Sequence, residues 1–323
     1  MRFKKTSVVG LAIFAGVIAS SQAMASEVKI TPLGSHDGEF CRLDRAMVFE
    51  DPDGTRLLYD AGRTVAGADD PRLGKIDAVL VSHMHGDHVG DRHIAKVNEG
   101  SCSKPEFPTV SLPNTNSVNI AAAKNAKIIT GSEMPKFFGA KLKSVGADPK
   151  NSQLVRFGAS RKIGGVTITT VPAVHSNGIA GAMIGGDLGD HLDAAGLTAY
   201  AGPPTGYVLT FSNGLVAYLS GDTGVTAEQK IVVGDQYKAK LVVMNIGDTF
   251  TTGPKEAAYV VNDLIKPASV IISHANEPAT EGGKVIAGTR SEMFMKLSAA
   301  PTYLPLSGMT MSFDGMGKCT SGC

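Results

Sequence analysis

The stretch Ser82-His83-Met84-His85-Gly86-Asp87-His88-Val89-Gly90-Asp91 decides both the fold and the chemistry that we expect. It directly follows Ala78-Val79-Leu80-Val81, an apolar run that is typical of a buried strand. Residues two apart on an extended segment point to the same side of the chain. His83 and His85 are therefore expected to bind the same metal ion.

The second half of this motif offers ligands for another ion. Gly86 permits a sharp turn, after which Asp87 and His88 lie at the start of a predicted helix, His88–Val97. Imidazole and carboxylate groups suit zinc and neighbouring divalent ions. A polar turn in which Asp87 only caps the helix is the alternative. Four metal-capable side chains within six residues favour a metal site over that alternative.

Four more candidates share a position, because each directly follows a predicted strand. They are Asp60, His175, Asp222 and His274. Ligands of open α/β sheets collect beyond the carboxyl ends of the strands, so we expect these side chains to converge on one edge. Taken singly, each is explained as a turn residue or a hydrogen-bonded histidine. As a set beside the motif, they favour a metal centre.

Short β-rich runs alternate with helical segments along the rest of the chain, which predicts an α/β layered domain. Helices are predicted at Val118–Lys124, Ala227–Val233, Pro254–Ile265 and Arg290–Leu297. Two glycine- or proline-containing segments, residues 98–116 and 178–206, are predicted to be insertions. The second follows His175, and we expect it to form a flap over the metals.

The motif and the downstream His175, Asp222 and His274 resemble the metallo-β-lactamase superfamily. Further matches favour the branch of metal-dependent hydrolases related to ascorbate-6-phosphate lactonase. These matches are Pro172-Ala173-Val174-His175-Ser176, Ser220-Gly221-Asp222-Thr223-Gly224 and Gly253-Pro254-Lys255-Glu256-Ala257-Ala258. The resemblance covers roughly residues 28–280 and implies an αββα sandwich with metals at one edge.

The resemblance also implies a role for each candidate residue. His83, His85 and His175 look like ligands of a first ion, Asp87, His88 and His274 like ligands of a second, Asp222 like a bridging carboxylate, and Asp60 like a residue that orients the ligands. Two divalent ions are expected, with zinc favoured and manganese or iron as alternatives. Asp87 and Asp222 are the predicted catalytic residues, and Asp87 is also a candidate for proton transfer.

The implied chemistry is hydrolysis of an ester-like bond in a small molecule by a metal-bridged hydroxide. The bond would be a lactone or carboxylic ester, a phosphodiester or a sulfate ester. A β-lactam hydrolase, a mono-iron sulfur dioxygenase on the same fold and a non-catalytic metal binder remain as alternatives. A net charge of +1 lacks the excess of positive charge that is typical of nucleic-acid-binding proteins.

The beginning of the chain predicts export. Residues 1–25 combine a basic start, an apolar stretch from Val8 to Ala19 and an Ala23-Met24-Ala25 cleavage site, which together indicate a secretory signal peptide. A membrane anchor is the alternative, but the apolar stretch is shorter than the roughly 20 residues that a spanning helix needs. We therefore expect a periplasmic or secreted protein without a stable membrane anchor, in which residues 26–323 form one domain.

The chain has four cysteines, Cys41, Cys102, Cys319 and Cys323. Export permits disulfides, and four cysteines allow three pairings that sequence cannot distinguish. We favour Cys41 with Cys102 and Cys319 with Cys323, because the last two lie close together on a Gly/Ser-rich tail. A four-cysteine zinc site is the alternative, but the paired spacing of zinc knuckles is missing.

Overall fold

The computed structural model of the protein describes Met1 and residues 27–323. Apart from Met1, the predicted signal peptide at residues 1–25 therefore lies outside the described residues. Within the described part, no helix combines the length and the apolar character that crossing a bilayer requires.

The first of two large sheets has eight strands and contains the N-terminal part of the described chain. Its strands, in spatial order, are Ser152–Leu154, Lys127–Thr130, Ala78–Leu80, Arg56–Tyr59, Met47–Glu50, Val28–Pro32, Met311–Phe313 and Cys319–Ser321. The four strands from Ser152–Leu154 to Arg56–Tyr59 run parallel, and the remaining neighbours pair antiparallel.

The second large sheet has seven strands. In spatial order they are Ser160–Ile163, Val166–Pro172, Thr205–Thr210, Val216–Leu219, Leu241–Asn245, Ser269–Ser273 and Thr302–Tyr303. The first three pairings are antiparallel and the last three are parallel.

Smaller strands pair two by two outside the large sheets. They are Gly178–Ile179 with Ala199–Tyr200, Thr280–Glu281 with Lys284–Val285, Arg92–His93 with Thr109–Val110, and Gly100–Ser101 with Lys104–Pro105. The described α-helices are Gly86–Val89, Asn116–Lys124, Met134–Ser144, Gly181–Ile184, Gly186–Ala194, Pro254–Tyr259 and Arg290–Leu297. A 3₁₀ turn spans Pro149–Asn151, and π-helical segments span Gln229–Gln236 and Val260–Ile265.

Alternation along the strands produces three apolar layers. Leu57 and Tyr59 pack between the two large sheets, whereas Leu58 points to the other face and packs with helices Asn116–Lys124 and Met134–Ser144. In the second sheet, Val243 faces the layer between the sheets. Its neighbours Val242 and Met244 pack beneath the helical stretch at residues 254–265. The architecture is the predicted αββα sandwich.

The direction of the strands brings the candidate residues together. Arg56–Tyr59 and Ala78–Leu80 are parallel neighbours, so Asp60 and the motif after residue 81 emerge at the same edge of the first sheet. In the second sheet, strands Val166–Pro172, Val216–Leu219 and Ser269–Ser273 share one direction. The residues that follow these three strands therefore emerge at one edge as well.

Three local predictions can be compared with this fold. The helix predicted at His88–Val97 is wrong, because the helix ends at Val89, where Gly90 adopts a left-handed conformation with φ 77°. The insertion at residues 178–206 is not structureless and contains two short helices. The favoured cysteine pairing is confirmed, since Cys41 bonds Cys102 and Cys319 bonds Cys323.

Candidate metal centre

The two sheet edges bring seven metal-capable side chains into two groups. One contains His83, His85, His175 and Asp222, and the other contains Asp87, His88 and His274. Within each group, one potential ligand atom from every residue lies within 4.8 Å of the others. The structure therefore brings together the seven residues named from the sequence, with Asp222, the expected bridging residue, in the first group.

Asp222 lies between the two groups. Its Oδ2 is 3.0 Å from Nε2 of His274 and 3.3 Å from Nε2 of His88. It is also 3.7 Å from Nε2 of both His83 and His175. One carboxylate oxygen thus faces imidazole nitrogens of both groups. Asp87 approaches only the second group, with its Oδ2 3.6 Å from Nε2 of His274.

The hydrogen bonding of these side chains fits metal ions. Nε2 of His83, Nε2 of His88 and Oδ1 of Asp222 are buried and have no hydrogen-bond partner among the described residues. A buried polar atom without a partner is costly, so an arrangement with three of them around one point calls for a ligand. Imidazole nitrogens and carboxylate oxygens are the donors that divalent transition metals prefer.

Asp60 fixes the ring orientation of two histidines from behind the cluster. Its Oδ2 lies 2.8 Å from Nδ1 of His88 and accepts the hydroxyl of Ser82 at 2.7 Å, while Oδ1 accepts the amide of Ser82 at 2.8 Å. Because the carboxylate can only accept, His88 donates from Nδ1 and its Nε2 is left free. Ser82 Oγ, already donating to Asp60, accepts from Nδ1 of His83 at 2.9 Å, so Nε2 of His83 is free as well.

A hydroxyl partner also holds His85. Ser176 Oγ lies 3.2 Å from Nε2 of His85, while Nδ1 of His85 lies 3.3 Å from Nε2 of His175. With Nε2 engaged by the serine, Nδ1 is the nitrogen of His85 that faces the first group. Ser82 and Ser176 were not assigned to the site from the sequence, although each directly neighbours a predicted ligand.

Arg45 is a site residue that the sequence analysis missed. Its guanidinium is buried and donates to Oδ2 of Asp87 from Nε at 3.3 Å and from Nη2 at 3.1 Å. Nη2 also donates to Oδ1 of Asn276 at 2.6 Å, and Nη1 donates to the carbonyl of Asp44 at 3.0 Å. Arg45 thereby ties the motif of the first sheet to the segment that follows His274. The sequence analysis considered this region only because of the nearby Cys41, which gives no indication that Arg45 contacts the site.

The charged groups of the cluster shift one another strongly. Burial opposes charge on Asp222, but His274 and His88 outweigh it and hold the pKa of this carboxyl well below its usual range. Burial likewise lowers the pKa of His88, but Asp222, Asp87 and Asp60 outweigh it and raise that pKa to about 10. For His83, burial and the neighbouring His88 lower the pKa well below its usual value. The carboxylates therefore favour a second proton on Nε2 of His88, the position that a cation would take, whereas His83 stays neutral.

The loop that carries Asp222 is fixed by a buried polar network. Ser220 Oγ donates to Oδ1 of Asn245 at 2.8 Å, and Nδ2 of Asn245 donates to Oγ1 of Thr252 at 2.8 Å. Nδ2 of Asn245 also donates to the carbonyl of Thr223, the residue after Asp222, at 3.1 Å. Thr223 in turn accepts the amide of Val174 through its hydroxyl at 3.0 Å, so Asp222 and His175 are held in register.

A cavity of about 720 Å³ opens onto the cluster. Its walls include residues 247–250, which carry the exposed ring of Phe250, and the arginines at positions 42, 63 and 290. The prediction that residues 178–206 form a flap over the metals is wrong, because no residue of that segment lines the cavity. The other insertion adjoins it, since Phe107 lies 5.9 Å from the guanidinium of Arg63.

The remaining histidines lie outside the cluster. His191 is exposed and contacts the carbonyl of Asp187 within its own helix. His93 is buried, and its Nδ1 lies 2.7 Å from the carbonyl of Ile94. His36 is partly buried and lies 3.3 Å from the carbonyl of Gly100.

Comparison with known proteins places these features in a family. A family described as "Beta-lactamase superfamily domain" matches residues 55–275. A protein from Cupriavidus necator named "UPF0173 metal-dependent hydrolase" is 33% identical over 207 residues, which is 62% of this chain and 58% of the relative. One of the same name from Thermodesulfovibrio yellowstonii is 30% identical over 69% of this chain and 72% of its own.

Among solved structures, a metallo hydrolase from the archaeon Ignicoccus hospitalis is similar in fold. It has a TM-score of 0.58 and 20% sequence identity, and the match covers 89% of this chain and 99% of that one. The chain spans 58% of the length of the Cupriavidus necator relative and 63% of the length of a relative from Cupriavidus taiwanensis, less than two thirds in both.

Proposed function

The chain belongs to the family described as "Beta-lactamase superfamily domain", and we propose that it is a hydrolase that uses two divalent metal ions. The observation that carries the proposal is the position of Asp222. A single oxygen of this buried carboxylate faces imidazole nitrogens of both groups, at 3.0 and 3.3 Å on one side and 3.7 Å on the other. The relatives named as metal-dependent hydrolases support the same class of chemistry.

We assign the ligands as the two groups suggest. The first ion would be held by His83, His85 and His175, the second by Asp87, His88 and His274, and Asp222 would serve both. Two such ions supply a water nucleophile at neutral pH and stabilise negative charge on the substrate. Five imidazoles and two carboxylates suit zinc, manganese and iron. Of these we favour zinc, with manganese and iron as alternatives.

The protein side chains divide the remaining tasks. Asp222 would offset the repulsion between two neighbouring cations. Asp60 accepts the Nδ1 proton of His88 and, through Ser82, holds that of His83. This arrangement would leave both Nε2 atoms without a proton and able to bind a metal ion. Asp87 receives two hydrogen bonds from Arg45, and these stabilise its ionised form. We therefore propose that Asp87 acts as a ligand carboxylate rather than as a proton donor.

The proposed reaction is cleavage of an ester-like bond, that is, a lactone or carboxylic ester, a phosphodiester or a sulfate ester. The reaction does not require a covalent serine nucleophile, and Ser82 and Ser176 are both engaged in orienting histidines. A mono-iron redox enzyme would use one group of ligands and leave the other without a task. The two groups that share Asp222 favour a two-ion hydrolase over that alternative.

The test is a substrate panel on the purified protein. The chain, loaded in turn with zinc, manganese and iron, is assayed with a lactone, a carboxylic ester, a phosphodiester, a sulfate ester and a β-lactam. We expect turnover of at least one ester-like substrate, loss of that turnover with a chelator and recovery when the metal is restored. Failure of every metal-loaded form to cleave any ester-like substrate of the panel would overturn the proposal.

We also propose that the protein is exported and works outside the cytoplasm. The signal-like residues 1–25 motivate this, and the pairing of all four cysteines supports it, because disulfides persist mainly in oxidising compartments. N-terminal sequencing of protein recovered from the periplasm or medium should begin near Ser26. Retention of Met1 on protein in those fractions would contradict the proposal.

A further inference from the structure

Three arginines line the cavity beside the proposed metal centre, but two of them already have partners. Arg63 forms a forked pair with Asp91, from Nε to Oδ1 at 2.7 Å and from Nη2 to Oδ2 at 2.9 Å. Arg290 lies 3.5 Å from Oε2 of Glu277 and donates to the carbonyl of Ala275. Each of these two guanidinium groups already faces a carboxylate of the protein.

The third, Arg42, is different. Its side chain is exposed, lines the cavity, and forms no ion pair or hydrogen bond with any other described residue. Two of the carboxylates that line the same cavity, Asp87 and Asp222, belong to the proposed metal centre. The third, Asp248, accepts the amide of Thr249 at 2.8 Å. Among the described residues, Arg42 is thus the arginine of this cavity wall that has no carboxylate partner.

The backbone beneath Arg42 is anchored rather than loose. Cys41, the residue before it, is buried and disulfide-bonded to Cys102, and the amide of Arg42 donates to the carbonyl of Cys102 at 3.3 Å. Three residues later, the buried Arg45 fixes the segment to Asp87. Arg42 thus has a side chain that is unpartnered in the described part of the chain, on a backbone segment that is fixed on both sides, and such an arginine is suited to binding one particular group of a ligand.

We propose that Arg42 binds an oxyanion group of the substrate, a carboxylate, phosphate or sulfate separate from the bond that is cleaved. This inference rests on the proposed hydrolytic function, because it places the scissile bond at the metal centre and the second group at the cavity wall. A guanidinium binds a carboxylate or phosphate through two parallel hydrogen bonds, which an ammonium cannot reproduce. Arg42 is therefore a residue that determines specificity.

The experiment compares matched ligands on the metal-loaded protein. Calorimetry measures the binding of butyrate, which has one anionic group, and of glutarate, 4-phosphonobutyrate and 4-sulfobutyrate, which each have a second. Wild type should bind at least one of the doubly anionic ligands about tenfold or more tightly than butyrate. The ligand with the largest preference identifies the oxyanion. Arg42→Gln should abolish that preference and leave butyrate affinity unchanged, and Arg42→Lys should retain only part of it.

Arg161→Gln is the control, because Arg161 is an exposed arginine that does not line the cavity. It should behave as wild type. The inference is wrong if wild type prefers none of the three doubly anionic ligands, or if Arg42→Gln keeps the preference. Because binding is measured without turnover, these outcomes are separate from the fate of the hydrolase proposal, which fails if no ester-like substrate is cleaved.

Where an ester is cleaved, the same variant gives a kinetic check. For esters that differ only in a terminal carboxylate, Arg42→Gln should lower kcat/KM about tenfold or more for the charged ester, mainly through KM. The neutral ester should change less than about twofold. Equal losses for both esters would point to structural damage and contradict a role in specificity.

Discussion

At the scale of single residues, the proposed centre depends on which ring nitrogen of each histidine carries the proton. Asp60 decides this for His88 directly and for His83 through Ser82. Asp60 has a left-handed backbone conformation, with φ 41°, which is uncommon for residues other than glycine. An unusual conformation at this position is consistent with a residue retained for its contacts to the site.

Replacing Asp60 with asparagine tests this arrangement. The amide side chain has a single acceptor oxygen where the carboxylate has two, so the hydrogen bonds from Ser82 and His88 could no longer all be made. Asp60→Asn should therefore weaken metal binding about ten- to hundredfold, measured by competition with a chromogenic chelator. The exposed Asp69 provides the control, and Asp69→Asn should bind metal as wild type. Equal metal affinity in the two variants would show that Asp60 does not orient the ligands.

The seven proposed ligands and Asp60 could be named from the sequence because each follows directly on an apolar strand or lies in the motif. The orienting serines and Arg45 could not. Ser82 and Ser176 carry no signal of their own, and the contact of Arg45 with Asp87 spans 42 positions along the chain. Hydrogen bonds between segments so far apart depend on the fold and leave no periodic pattern.

At the scale of elements, the turn at Gly90 sets the geometry of the motif. Gly90 ends helix Gly86–Val89 with φ 77° and lies against Asn116 and the carbonyl of Gly62. The sequence of residues 88–97 suggested a longer helix, but it says nothing about the close approach of other chain segments.

Local capping explains which other helices could be predicted. Helix Arg290–Leu297 was predicted with its observed bounds, and Thr289 caps it locally by accepting the amide of Glu292. Helix Met134–Ser144 was missed, and Glu133 before it makes no side-chain cap. A helix start without a capping side chain leaves little signal in the sequence.

Gly90→Ala should destabilise the protein strongly. The added Cβ would overlap Asn116 and the carbonyl of Gly62, in addition to the unfavourable φ. Gly38→Ala is a matched control, because Gly38 has φ 72° and nothing within 4 Å of the position that a Cβ would take. We expect a loss of about 1 kcal/mol for Gly38→Ala and at least about 2 kcal/mol more for Gly90→Ala, from urea unfolding. Equal losses would mean that the contact around Gly90 can relax freely.

The two disulfides should differ in their effect on stability. Cys41 and Cys102 are separated by 61 positions, whereas Cys319 and Cys323 are separated by 4. In the chain-entropy view, removing the first by a double Cys→Ser change costs about 4 kcal/mol, and removing the second costs about 2 kcal/mol. The first change should also reduce the preference for doubly anionic ligands, because it releases the segment of Arg42. A larger loss of stability from the terminal pair would contradict this account.

At the scale of the whole molecule, the site exists only where the two sheets meet. The first sheet contributes the motif and Asp60, and the second contributes His175, Asp222 and His274. The layered fold could be predicted from the alternation of strands and helices. The shape of the cavity could not, because its walls combine residues 42–43, 247–250 and 290, which are distant in the chain. For that reason residues 178–206, which come soon after a ligand strand, were wrongly predicted to cover the metals.

The central claim is that Asp222 is shared by two metal ions, and metal content measures it most directly. Elemental analysis of purified, metal-loaded protein should give two ions per chain for wild type. Asp222→Asn keeps the shape but removes the charge that offsets repulsion between the cations, so it should hold about one ion and lose orders of magnitude in kcat. His36→Ala, outside the cluster, should keep both ions and full activity. A wild type with one ion per chain, together with an Asp222→Asn variant that retains that ion and its activity, would contradict the account.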